Sequence, residues 1–138
     1  KMLSNLFKSV IAVDNLEERH QESKKLNPNH NNVEYIVMDV YSQTWNFKDI
    51  DAVFIDCVHD YHHVKSDIDN ALRLLKSDGY IIYDDYGLFP EIKKAVDEYV
   101  NDGKLKIVKK IGHHKGAYYP TTQNKVLKDR EGVICQVV

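Results

Sequence analysis

Short apolar runs alternate with charged, helix-forming segments along this chain of 138 residues. Four of the runs are rich in β-branched residues and predict strands: Ser9–Val13, Val33–Val40, Ala52–Ile55 and Tyr80–Tyr83. They are apolar throughout instead of alternating with polar residues, which indicates strands covered on both faces. We therefore expect these four strands to be parallel.

The segments between the strands have helical spacing. Leu16–Leu26 predicts a charged surface helix, and Val64–Leu75 predicts an amphipathic helix that Ser77-Asp78-Gly79 ends. Pro90 suits the first turn of a further helix. The apolar face of that helix would comprise Ile92, Ala95, Val96 and Tyr99.

The C-terminal part lacks an obvious helix between its last two strand candidates. Leu105–Ile111 and Val133–Val138 predict strands, and Gly112–Gly132 predicts a turn-rich connection. The pattern as a whole predicts an α/β fold with a doubly wound, mostly parallel, Rossmann-like sheet and an antiparallel C-terminal edge pair.

Composition adds only a few limits. The length fits one domain, and the net charge of −2 with interspersed signs argues against a nucleic-acid partner. Cys57 and Cys135 have no metal-site spacing, which favours a reduced, cytoplasmic protein. No apolar run is long enough for a membrane helix. The expected partner is a small molecule, and edge strands near the C-terminus could pair two copies into a homo-oligomer.

An acidic residue lies at or directly after the end of each of the first four predicted strands. These residues are Asp14 (next to Asn15), Asp39 (next to Val40), Asp56, and the pair Asp84-Asp85. Ligands of open parallel sheets bind at the carboxyl ends of the strands. A single Asp there is often only a turn or helix cap, but four in four strands indicate a site.

The first two acids suit a nucleoside. The Asp14 carboxylate can accept both hydrogen bonds of a ribose diol. Asp39, on the neighbouring strand, could read the amino group of adenine.

Asp56, Asp84 and Asp85 predict a metal site. Three neighbouring carboxylates repel one another, and hard oxygen ligands suit Mg²⁺, Ca²⁺ or Mn²⁺. Such an ion could lower the pKa of a substrate hydroxyl. The alternative is that Asp84 caps a turn and Asp85 is solvated.

His59 is the candidate general base, because histidine titrates near neutral pH. A surface histidine at a helix start is the alternative. For His62, His63, His113 and His114 a surface role is favoured. Tyr61, Tyr86, Tyr118 and Tyr119 could line a substrate pocket, although ordinary packing is favoured for each.

The run "DAVFIDCVHDYHHVKSDIDNALRLLKSDGYIIYDDYG", followed by "PEIKKAVDEYV", resembles class I methyltransferases, and more narrowly the macrocin O-methyltransferase-like group. Shared features are Ile55-Asp56, His59, the segment Asp84-Asp85-Tyr86-Gly87 and Ala95-Val96-Asp97. Upstream, "LFKSVIAVDN" resembles the second strand of that fold.

The resemblance implies transfer of a methyl group from S-adenosylmethionine to a hydroxyl, often on a sugar. It implies cofactor binding by Asp14, Asn15, Asp39, Val40 and Asp56. It also implies Mg²⁺ on Asp56, Asp84 and Asp85.

The sequence departs from the group in three ways. The mildest is that Ser77-Asp78-Gly79 replaces the usual Pro-Gly-Gly. Cys57 and Val58 replace a usual Gly and a frequent acid, which shifts the role of base onto His59. The first strand and its glycine-rich cofactor loop are missing, and Lys1–Leu6 resembles the end of the helix that follows that loop. We therefore expect residues 1–138 to form one methyltransferase domain lacking that strand and loop, with further residues upstream.

Two other functions remain open. A truncated or degenerate methyltransferase fold could act as a non-catalytic binding or assembly module. The chain could also be another nucleotide-binding α/β enzyme, such as a dehydrogenase. The Asp-Asp-Tyr-Gly segment argues against this alternative, because it has no natural place in such an enzyme. Detectable binding of S-adenosylmethionine separates the enzyme from the module.

Overall fold

A computed structural model describes residues 2–118 and 124–138. The backbone contacts divide the chain into two compact units, Lys1–Trp45 and Asn46–Val138. The expected single domain stays a prediction.

The first unit is a small parallel β-pair with two helices. Its elements are α1 (Met2–Leu6), β1 (Val10–Asp14), α2 (Glu17–Leu26) and β2 (Val33–Val37). The strands pair in parallel from Val10 opposite Val33 to Asp14 opposite Val37. β2 ends three residues earlier than predicted. The cause is a turn in which the Asp39 carboxylate accepts a hydrogen bond from the backbone N–H of Tyr41, at 3.0 Å.

Helix α2 is polar and attaches to β2 mainly through one buried histidine. Nε2 of His20 donates to the carbonyl of Ile36 at 2.9 Å, and the ring meets Tyr35 edge-on. His20 is only 4% exposed. A polar hydrogen bond therefore attaches this helix to its strand, whereas apolar helix faces attach the helices of the second unit.

The second unit is a four-stranded mixed sheet with two helices. Its elements are β3 (Ile50–Ile55), α3 (Tyr61–Leu74), β4 (Leu75–Tyr83), α4 (Pro90–Asn101), β5 (Leu105–His114) and β6 (Arg130–Val137). The strand order is β3-β4-β6-β5. β3 and β4 are parallel, while β6 is antiparallel to both β4 and β5. The predicted α/β class, parallel pairing and antiparallel C-terminal edge are confirmed.

The predicted helix faces form the core of this unit. The buried apolar side chains are Val64, Ile68 and Ala71 of α3 and Ile92, Ala95, Val96 and Tyr99 of α4. Helix α3 begins three residues earlier than predicted, because the Asp60 carboxylate accepts hydrogen bonds from the backbone N–H groups of His62 and His63.

The segment Ser77-Asp78-Gly79 lies within the bounds of β4 instead of directly ending a helix. Pairing with β3 jumps from Leu75 opposite Ile50 to Tyr80 opposite Ala52, so the intervening residues bulge out of the ladder. Asp78 has a φ of 77° there.

The predicted connection between β5 and β6 is shorter than Gly112–Gly132, since β5 continues to His114 and β6 starts at Arg130. Tyr118 and Lys125 form an isolated antiparallel bridge. Tyr119 lies outside the described residues. Across residues 2–118 and 124–138, the helices are all too short or too polar to cross a membrane.

Gly87 fixes the approach of the β4–α4 loop to the segment that leads into β6. Its N–H donates to the Glu131 carbonyl at 2.7 Å, and its own carbonyl accepts from the N–H of Leu127. A Cβ at this position would lie 2.2 Å from the carbonyl oxygen of Arg130 and 2.4 Å from that of Lys128. Only glycine fits without moving backbone.

We expect Gly87→Ala to lower the free energy of unfolding by about 2–3 kcal/mol, because overpacking against backbone cannot be relieved by a rotamer change. Urea denaturation measures this. Gly103→Ala is the matched control: Gly103 has a φ of 71° but open space around it, so only about 1 kcal/mol of conformational strain is expected. Equal losses in the two variants would contradict the close-packing explanation.

Candidate active site

The strand ends of the second unit gather acidic residues at one edge of the sheet. Ile55 pairs with Tyr83, and Tyr83 pairs with Val133 of the antiparallel strand β6. The residues just after β3 and β4 and those at the start of β6 therefore share this edge. They include Asp56, Asp84, Asp85 and Glu131.

His59 lies between two of the predicted acids. Its Nε2 is 3.6 Å from Oδ1 of Asp56 and 3.6 Å from Oδ2 of Asp85. This atom is buried and has no hydrogen-bond partner among the described residues. The ring packs on Phe89, with centroids 4.4 Å apart, which holds the imidazole in place. A buried polar nitrogen without a partner is costly and needs a functional reason.

The predicted metal ligands fall into two groups that share Asp85. Ligand atoms of Asp56, His59 and Asp85 lie within 4.8 Å of one another, and so do those of Asp84, Asp85 and Glu131. Both groups are made of donors that suit divalent cations. The predicted set of Asp56, Asp84 and Asp85 thus spans both groups, with Asp85 at their junction.

The ionised form of Asp85 is electrostatically unfavourable at this edge of the sheet. Burial raises its pKa from 3.8 to about 6, and the neighbouring Asp84 carboxylate adds to the rise. Its backbone has a φ of 55°, in the left-handed region that few residues other than Gly, Asn and Asp adopt. Burial also raises the pKa of Asp84, against the hydrogen bond from the N–H of Asp85. A cation would relieve both carboxylates.

Glu131 is a site residue that the sequence reasoning missed. It is 7% exposed, and its Oε2 accepts hydrogen bonds from the backbone N–H of His113 at 2.9 Å and from Nδ1 of the same residue at 2.5 Å. The signal was present: an acid precedes the apolar run Val133–Val138. In an antiparallel strand the start, not the end, lies at the carboxyl edge of the parallel strands.

The Tyr86 hydroxyl joins the loop after β4 to helix α4. It donates to Oδ1 of Asp97 at 2.6 Å and accepts from Nζ of Lys93 at 2.8 Å. The Asp-Asp-Tyr-Gly loop is thereby tied to the Ala-Val-Asp segment of α4. Burial raises the pKa of Tyr86 to about 12, so the hydroxyl keeps its proton. Tyr86 is a buried anchor of the site loop.

The other aromatic and histidine candidates have local partners. Tyr61 donates to Glu98 at 2.6 Å, His63 pairs with Asp60, and Nδ1 of His114 donates to the Lys115 carbonyl at 2.9 Å. His62 and Tyr118 are exposed. These contacts leave His59 as the histidine that the structure places among the predicted acids.

The first unit carries the predicted nucleoside-binding residues. Oδ1 of Asp14 accepts from the backbone N–H of Leu16 at 2.9 Å, and Oδ2 accepts from Arg19 at 3.2 Å. Each oxygen retains a second lone pair. Asn15 beside it is exposed.

Asp39 lies on the neighbouring strand end. The N–H of Met38 donates to the carbonyl of Asp14 at 3.0 Å, which continues the pairing beyond β2 and keeps Asp39 beside Asp14. Asp39 is exposed, and hydrogen bonds from the backbone N–H of Tyr41 and from Ser42 hold its pKa below the usual value. The half-buried Val40 accepts a hydrogen bond at its carbonyl from the buried Trp45.

A family model described as a methyltransferase domain matches residues 2–86, more than half of the chain. The chain belongs to this methyltransferase family. The resemblance to class I methyltransferases is thus confirmed, and the narrower macrocin-like group stays a prediction. A search of the curated proteins gave no match.

Solved methyltransferases share the fold. A Streptococcus mutans protein assigned as a methyltransferase, solved with S-adenosylhomocysteine, is 18% identical, with a TM-score of 0.66 over 99% of this chain and 80% of that one. An rRNA methylase from Streptococcus thermophilus is 19% identical, with a TM-score of 0.64 over 99% and 77%. An S-adenosylmethionine-dependent O-methyltransferase from Thermotoga maritima is 18% identical, with a TM-score of 0.62 over 94% and 50%.

We expect Asp85→Asn to stabilise this methyltransferase at pH 7–8. Because the pKa of Asp85 is raised, the folded state binds more protons than the unfolded state between pH 3.8 and about 6. Stability therefore falls as pH rises through this window, and the ionised side chain disfavours the fold above it. Removing the charge should restore up to about 3 kcal/mol at pH 7 and nothing below pH ~4.

Thermal unfolding in EDTA from pH 3.5 to 8 tests this expectation. Asn also tolerates the left-handed backbone of Asp85. The exposed Asp51 serves as control through Asp51→Asn. A gain in Asp85→Asn that is independent of pH would refute the electrostatic explanation.

We expect Tyr86→Phe to lower the free energy of unfolding by about 1–2 kcal/mol, because Asp97 and Lys93 lose a partner in a partly buried network. Chemical denaturation measures the loss. The control is Tyr118→Phe, since Tyr118 is 61% exposed. If the two variants are equally stable, the hydroxyl does not anchor the loop.

Proposed function

We propose that this protein transfers a methyl group from S-adenosylmethionine to a hydroxyl of a small molecule, a sugar among the candidates, with help from a divalent cation such as Mg²⁺. The observation that carries the proposal is the position of His59. Its buried Nε2 has no hydrogen-bond partner among the described residues and lies 3.6 Å from the carboxylates of Asp56 and Asp85. Family membership supports the reaction class.

The residues of the first unit fit the nucleoside half of the cofactor. Asp14 offers carboxylate lone pairs for a ribose diol, with Asn15 beside it, and Asp39 with Val40 provides an acidic turn on the neighbouring strand. Asp56 is proposed as a further cofactor contact. One structural neighbour was solved with S-adenosylhomocysteine, and another is described as an S-adenosylmethionine-dependent O-methyltransferase. When bound, the cofactor supplies an electrophilic methyl on a sulfonium.

The carboxyl edge fits a cation. Asp85 is common to both groups of potential ligands and is the proposed central ligand, while Asp56 and Asp84 belong to one group each and are proposed as further ligands. A divalent cation held there would lower the pKa of a hydroxyl bound to it. Burial raises the pKa values of Asp84 and Asp85, so a cation bound there would stabilise both ionised carboxylates, which supports the proposal.

His59 is the proposed general base. Its Nε2 would take the proton of an acceptor hydroxyl, which would leave the oxygen free to accept the methyl group that the bound cofactor would supply. Asp56 and Asp85, each 3.6 Å away, stabilise the resulting imidazolium. Phe89 keeps the ring fixed, so the main contribution of the chain is alignment and proton removal.

Calorimetric titration of the natural full-length protein with S-adenosylmethionine, with and without Mg²⁺, tests the proposal. We expect Asp14→Ala to weaken cofactor binding by at least tenfold, since it removes both acceptors for the ribose. We expect Asp85→Ala to bind the cofactor but to lose the response to Mg²⁺. Asp51→Ala, a change at an exposed acid at the opposite end of β3, should alter neither.

A cofactor affinity near the wild-type value in Asp14→Ala would overturn the assigned nucleoside site. Absence of any binding in the wild-type protein would overturn the enzyme and favour the alternative of a non-catalytic binding module. An unchanged response to Mg²⁺ in Asp85→Ala would remove the cation from the proposal and leave the methyl transfer.

A further inference from the structure

Charge is segregated along this chain, although the total is close to zero. Residues 104–130 hold eight of the 19 basic residues and one of the 21 acidic residues, Asp129. This segment has a net charge of +7, and the rest of the chain has −9. The basic residues are Lys104, Lys106, Lys109, Lys110, Lys115, Lys125, Lys128 and Arg130. We call residues 104–118 and 124–130, which contain all eight, the basic hairpin.

The tip of the basic hairpin lies at the same sheet edge as the candidate active site. Tyr83 at the end of β4 pairs with Val133, and on the other side of β6 Gly132 pairs with Ile111 and Arg130 with His114. The end of β5 and the start of β6 therefore flank the carboxyl edge of β4, where Asp84 and Asp85 follow. An acceptor bound at Asp84 and Asp85 would therefore lie next to the end of β5 and the start of β6.

Protection of an edge strand explains only part of this charge. β5 is the outer strand of its sheet, and lysines such as Lys106 and Lys109 on an edge discourage pairing with other chains. Lys115, Lys125 and Lys128 lie outside β5 and β6, in the connection between them. All three are exposed and make no ion pair within the described residues, whereas Lys110 pairs with Asp129.

The hairpin is fastened to the acidic edge at a defined point. Gly112, with a φ of 76°, turns the chain so that the N–H and Nδ1 of His113 both bind the Glu131 carboxylate. A Cβ at Gly112 would lie 2.7 Å from Oε2 of Glu131. The end of β5 is thus held next to the buried Glu131 carboxylate.

We propose that the basic hairpin binds an anionic group of the acceptor, a phosphate, sulfate or carboxylate, while the acceptor hydroxyl lies at the carboxyl edge. This inference rests on the proposed function and specifies its substrate class: a small hydroxylated anion. Arg130 is a suitable ligand, because within residues 2–118 and 124–138 its guanidinium donates only to the Gly112 carbonyl, at 2.9 Å. Lys128 supplies a second positive charge two residues away.

A small anion fits better than a nucleic acid. Residues 1–103 carry 19 acidic and 11 basic residues, so phosphates that extended beyond the hairpin would meet a predominantly negative chain. Binding of RNA requires a broad basic face. The hairpin provides one basic site next to an acidic one.

Titration with inorganic phosphate, followed by NMR of backbone amides in the natural full-length protein, tests this inference. We expect saturable shifts centred on Lys128, Arg130 and Lys115, and weakening of about tenfold or more in Lys128→Gln/Arg130→Gln. The matched control Lys48→Gln/Arg73→Gln removes the same charges from exposed positions outside the hairpin. It should bind phosphate like the wild type.

Equal weakening in both double variants, or shifts spread over all surface lysines, would overturn the anion site. Binding of a twelve-nucleotide RNA at least a hundredfold tighter than phosphate, and lost in Lys128→Gln/Arg130→Gln, would overturn the small acceptor in favour of a polyanion. Affinity for S-adenosylmethionine should be unchanged in both double variants. If cofactor binding is absent in the wild type while the phosphate site behaves as expected, the proposed function fails and the anion site stands.

Discussion

The pairing of β6 between β4 and β5 is the constraint on which the candidate active site depends. It brings the start of an antiparallel strand to the edge where the parallel strands end, so that Glu131 joins Asp84 and Asp85. The approach is set by Gly87, whose missing side chain leaves room for the carbonyls of Lys128 and Arg130. Without this close contact, neither the acidic edge nor the adjacent hairpin would hold its position.

Repulsion between the clustered carboxylates disfavours folding, and hydrogen bonds near the site offset part of this repulsion. Asp84 and Asp85 are kept close by a loop that Tyr86 ties to Asp97 and Lys93. Burial, together with the neighbouring Asp84 carboxylate, raises the pKa of Asp85, and proton uptake there relieves some of the repulsion. The proposed active site therefore lowers the stability of the fold, as is common for enzyme sites.

Much of this could be predicted from the sequence, because the decisive signals are local. Apolar runs gave the strands and helical spacing gave the faces of α3 and α4, so the acids at strand ends could be named. Glu131 could not be placed, since its position depends on which strand β6 joins. The bond from Tyr86 to Asp97 was equally hidden, because it depends on where α4 lies. β2 was predicted too long because an Asx turn at Asp39 overrides apolar character.

The strand order also bears on how the second unit is made during synthesis. β6 follows β5 in the chain but lies between β5 and β4, so β5 has no partner in its sheet until β6 has left the ribosome. Until then β4 presents an open edge, and the lysines of β5 face solvent on an unpaired strand. During synthesis, the open edge of β4 could therefore pair with strands of other nascent proteins. A chaperone bound to the open edge of β4 would prevent such pairing.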